Sequence, residues 1–129
     1  MSSNETVYLI DAILNHVLGV ATYTPPASYW LALLSAPPTQ SSWTELPSTL
    51  NYSRAQIIFG PSSNKQISNS NQIVFPRPSA QWVNVQGFAI FDAFTGGNAL
   101  YIMTVSPAFA PPLYAITMNP GTVIIGDIF

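Results

Sequence analysis

Residues 91–103 read FDAFTGGNALYIM. One acid, two adjacent glycines and an amide stand between apolar runs. Two structures fit such a stretch: a loop that cradles phosphate, or the turn of a β-hairpin. A phosphate loop needs a helix directly after its glycines, so that free backbone N–H groups face the anion. Here Gly96, Gly97 and Asn98 lead into Ala99-Leu100-Tyr101-Ile102-Met103, a strand-forming run, and no lysine stands beside them. A hairpin is therefore expected. The glycines supply positive φ, Asn98 tolerates the same region, and Asp92 can accept backbone hydrogen bonds across the turn. Asp92, Gly96, Gly97 and Asn98 are thus expected to act as a structural turn.

Outward from this turn the pattern stays β. Residues 82–92 (WVNVQGFAIFD) and 99–105 (ALYIMTV) form its two arms, with a bend expected at Gly87. Upstream, 28–35 (SYWLALLS) is apolar on both faces, as for a strand buried between layers. Residues 52–60 and 72–76 are strand-like, separated by the polar, low-complexity 61–71. Downstream, 107–112 (PAFAPP) predicts a rigid loop. Residues 113–118 and 122–129 predict a strand pair closed by the turn Asn119-Pro120-Gly121. Residues 37–51 form a Pro-, Ser- and Thr-rich loop, long enough to suggest a binding loop.

Only the N-terminus has helical spacing. Val7, Ile10, Leu14 and Val17 repeat on one face over 5–18, with Ile13 and Leu18 widening the stripe. Ser2 and Glu5 resemble a capping box, and Gly19 suits the stop. The expected fold is mainly β: one domain over 1–129, an antiparallel, jelly-roll-like β-sandwich of six to eight strands with an N-terminal helix at 5–18.

Composition bounds the function. Of 129 residues only 6% are charged and 48% are hydrophobic, against about 25% charged in an ordinary soluble domain. So few surface charges protect poorly against association, so partners are expected to cover much of the surface. Arg54, Lys65 and Arg77 are the whole cationic set, too few to track nucleic-acid phosphates. There is no cysteine, which removes disulfides and thiolate metal sites. The N-terminus lacks the basic leader of a signal peptide, and no run approaches the ~20 apolar residues of a membrane span.

Candidate chemistry is sparse. His16 is the only histidine, and Asp11, five residues away, falls on another face of the helix. The acids Glu5, Asp11, Glu45, Asp92 and Asp127 nominate no facing pair of the kind a glycosidase needs. Serine is plentiful, but no G-x-S-x-G elbow occurs. Neither catalytic residue, metal nor cofactor is expected. Arg54 is expected to pair with one of the few acids. Arg77, between two prolines, is directed outward, either to a subunit contact or as a charge that guards a sheet edge.

The series LIDAILNHVLG, YTPPASYWLALLSAPPT, Y-x-R-x-x-I-x-F, SNSNQIVFP and IFDAFTGGNAL resembles a family of small tailed-bacteriophage virion proteins, usually labelled phage tail or tail fiber proteins. The likeness runs from about Leu9 to Leu100 and is most specific at Ile90–Leu100. The middle segment SSWTELPSTLN departs from it, since members commonly carry a glycine-rich stretch there. The resemblance implies a non-enzymatic virion component made in the host cytoplasm, associated with the tail or its fibers. Its partners would be itself, as a trimer or higher oligomer, and other virion proteins. Decoration or cementing of the head, or a head–tail connector, is an alternative. A lectin-like module stacking host-surface glycans on Trp43, Trp82 or Tyr52 is another. Ile10, Leu14, Val17, Trp43 and Arg77 are the candidate interface residues.

Overall fold

A computed structural model describes residues 3–110 and 115–126. The chain is mainly β and antiparallel, with sandwich-like layers and one short helix. The elements are β1 (Ser3–Glu5), α1 (Val7–Val17), β2 (Tyr29–Leu34), β3 (Ala55–Ile57), β4 (Gln66–Ser68), β5 (Ile73–Val74), β6 (Trp82–Phe91), β7 (Ala99–Ala110), β8 (Thr117–Met118) and β9 (Ile124–Gly126). Five strands form one sheet in the order β1-β7-β6-β2-β3. The facing layer consists of two two-stranded ribbons, β4-β9 and β5-β8, rather than one broad sheet.

Side-chain alternation explains why β2 is apolar throughout. Leu31 and Leu33 point to the main core, Ala32 and Leu34 to the opposite face. In β6, Phe88 and Ile90 join the first set, Ala89 and Phe91 the second. The main core lies between the five-stranded sheet and the ribbons, which contribute Ile73, Phe75, Val123 and Ile125. On the other face a thinner cluster of Ala32, Leu34, Ala89, Phe91, Ala99 and Ile102 packs against Trp43 of the 37–51 loop.

The N-terminal segment differs from expectation. Ser2 lies outside the described residues, and Glu5 belongs to β1, paired with Tyr101 of β7. The N-cap is Thr6, whose Oγ1 accepts the Leu9 N–H and donates to the Ala99 carbonyl at 2.7 Å. The helix thus starts at Val7, the first residue of its apolar repeat and two residues inside the expected 5–18 span, because Thr6 is fully buried against β7 as the cap. At the far end Gly19, at φ +80, ends it as expected.

Three loops also differ. Residues 61–71 hold β4, reached through a two-residue turn in which Asn64 and Lys65 both take positive φ. A stretch with Ile67 as its only apolar residue gave no alternation to read. Residues 107–110 continue β7 instead of leaving it, while 111–114 lie outside the described residues. Pro107 is tolerated because the β6–β7 register shifts between Trp82, Val85 and Gly87, and β1 pairs only with Tyr101–Met103. Finally, the strands on either side of Asn119-Pro120-Gly121 do not pair with each other. Thr117–Met118 pairs with β5 and Ile124–Gly126 with β4, so the turn moves the chain from one ribbon to the other.

Candidate functional site

The 92–98 connection is a tight turn held by its own side chains. The Asn98 N–H donates to Asp92 Oδ1 at 2.7 Å, and the Asn98 amide donates to Oδ2 at 3.2 Å. Gly96 and Gly97 stand at φ +63 and +74, which a side chain would strain. A Cβ on Gly97 would also run into Asp92 and Ala93.

Arg54, just before β3, ties this turn to the 37–51 loop. Its Nε and Nη2 donate to Glu45 Oε2 and Oε1, both at 2.9 Å, a bidentate pair. Its Nη1 donates at 2.8 Å to the carbonyls of Ala93 and Gly96. The guanidinium lies 3.7 Å from the centre of the Phe91 ring. Tyr52 completes the network: its hydroxyl donates to Glu45 Oε2 at 2.6 Å and accepts the Leu33 N–H at 3.1 Å. Burial, then the bond to Glu45, push the Tyr52 phenol well above its usual range. The 37–51 loop is itself anchored, since Leu46 N–H donates to the Leu33 carbonyl and Ser35 N–H to that of Thr44.

Above this network opens a cleft of about 460 Å³, lined by Glu45, Ser48, Ser53, Arg54, Phe94 and Thr95 among others. Among the described residues Glu45 is the only acid lining it, and Arg54 and Tyr52 already engage that carboxylate. Hydrolysis of the two-carboxylate kind has no second acid here. Among the described residues no three of His, Asp and Glu gather to hold a metal ion. His16 Nδ1 accepts the Tyr23 N–H at 3.1 Å, beside the last turn of α1.

The candidate interface residues fall on three segments. Ile10, Leu14 and Val17 share one helix face: Ile10 is half-buried, while Leu14 is 51% and Val17 70% exposed. Leu18 and Val20 extend the exposed stripe, and α1 itself buries only Leu9. Trp43 is half-buried on the second cluster. Arg77 is exposed, and its carbonyl accepts from the Asn51 amide at 2.8 Å. Two aromatics named for sugar stacking are unavailable: Trp82 and Tyr52 are buried in the main core, edge to face at 5.6 Å. The exposed ring at the cleft is Phe94, which the sequence does not single out because it sits inside the turn motif.

A model of the family described as podophage GP4 fiber I protein gp80 matches residues 4–110. The chain belongs to that family. The match takes in α1, the Arg54 network and the whole Asp92–Asn98 turn. A fiber family supports a structural role in a bacteriophage virion and implies a non-enzymatic one. Among curated proteins nothing matches the chain. No helix of the described residues is long and apolar enough to cross a membrane.

Proposed function

We propose that the protein is a tail-fiber-associated structural component, a single domain made in the host cytoplasm. It works buried among copies of itself, as a trimer or higher oligomer, and among neighbouring virion proteins. The observation that carries this reading is the stripe of α1. Leu14, Val17, Leu18 and Val20 stand in water although Thr6 and Leu9 anchor the same helix firmly on β7. An apolar stripe left out on an anchored helix is a contact surface. Burying it returns about 25 cal/mol per Å² of apolar area against the cost of association. Such a charge-poor contact is also rather insensitive to salt. The family supports a place in the fiber over decoration of the head.

Labelling this chain in intact particles tests the location. Label on the fibers or tail is expected; label spread over the head would replace the reading with decoration.

A further inference from the structure

We propose that the cleft between the Glu45–Arg54 pair and the 92–98 turn is a binding site for a neutral sugar chain. The site shares no lining residue with the exposed α1 surface. Its volume of about 460 Å³ falls in the range of small-molecule sites. Its two walls are held by a single side chain, because Arg54 bonds Glu45 on one and the carbonyls of Ala93 and Gly96 on the other. A ligand therefore meets a formed site rather than a loop that must be ordered first.

The lining selects the ligand class. Phe94 is 48% exposed, and its ring is steadied by an edge contact with Trp30 at 4.9 Å. It offers a fixed apolar platform. Around it the hydroxyls of Ser48, Ser53 and Thr95 make no hydrogen bond within the described residues, so they are free to donate and accept. Glu45 accepts three hydrogen bonds and retains room for one more from a ligand hydroxyl. An apolar ring face fringed by hydroxyls complements this set. Anionic ligands do not: the one cation is engaged by Glu45, whose carboxylate would repel them.

The test is retention of the intact protein on an array of neutral oligosaccharides ending in glucose, galactose, mannose or N-acetylglucosamine, with sialylated and sulfated chains as the anionic arm. A retained chain is then titrated in solution, using tryptophan fluorescence because Trp30 abuts Phe94. Binding of at least one neutral chain is expected, weakened about tenfold or more in Phe94→Ala, the loss of one aromatic contact in a small site. Phe94→Leu keeps the bulk without the ring and should weaken binding too; it serves if the alanine variant fails to fold. Leu14→Asp, on the exposed side of α1 and outside the cleft lining, should bind as the unaltered protein does, which separates a failure of the cleft from a failure of assembly. Retention of no neutral chain, retention of anionic chains alone, or full binding by a folded Phe94 variant would overturn the proposal.

Discussion

Arg54 and Glu45 meet through two hydrogen bonds of 2.9 Å, with the ring of Phe91 beneath the guanidinium. This pair joins three segments distant in sequence: the 37–51 loop, the approach to β3 and the 92–98 turn. Arg54 is almost fully buried and the Glu45 side chain about a quarter exposed, so removing either partner leaves the other poorly solvated. Arg54→Ala is expected to cost about 3 kcal/mol, the lower end for a broken buried pair. In a domain of this size that lowers the melting temperature by about 10 °C. Arg54→Lys should recover only part, since an ammonium cannot reproduce the fork. Thermal unfolding of the three proteins measures both.

The two turn glycines should respond unequally. At Gly96 an added Cβ meets nothing within 4 Å, so Gly96→Ala carries only the left-handed backbone cost of about 1–2 kcal/mol. At Gly97 the Cβ collides with Asp92 and Ala93 as well. Gly97→Ala should therefore be the more destabilising in urea unfolding, and should loosen the Asp92–Asn98 bonds.

Alkali should unfold the protein through its tyrosines. The Tyr52 and Tyr101 phenols are raised above their usual value of 10, first by burial and then by the nearby acids Glu45 and Glu5 respectively. A raised folded-state pKa contributes stability that is fully present below about pH 10 and is lost as pH climbs above it. Tyr52→Phe should flatten that loss. It also leaves the Leu33 N–H without its acceptor, costing about 1–3 kcal/mol at neutral pH. Stability curves from pH 7 to 11 separate the two effects.

The helix should divide into an anchoring and an exposed side. Leu9→Ala removes the one buried side chain of α1 and is expected to cost about 2–5 kcal/mol. Leu14→Asp and Val17→Asp lie in solvent and should change monomer stability by no more than about 0.5 kcal/mol. Deleting residues 1–19 would not isolate the exposed side, because it also strips β1 and the Thr6 anchor from β7.

What could be read from the sequence was whatever repeats or punctuates. The two faces of 29–34, the glycine turn at 96–97 and the period of 7–17 each carry a local signal, and the β architecture follows from them. Arg54 announced a partner by being one of three cations in a charge-poor chain, though not which acid. The rest depended on tertiary choice. Thr6 displaced the expected cap because a buried hydroxyl beside β7 had carbonyls to satisfy. Ile67 found its strand only through Ile125, far along the chain. Trp82 and Tyr52 looked like surface aromatics until the sheet closed over them, and Phe94 looked like part of a turn until the turn left it facing a cleft.

Sedimentation velocity across a rising concentration series, on the unaltered protein and on the Leu14→Asp, Val17→Asp double variant, bears most directly on α1 as a contact surface. Self-association to a trimer or larger species, lost in a double variant that melts at the same temperature, is the predicted result. A clean monomer of the unaltered protein at high concentration, or an oligomer that survives both aspartates, would contradict it.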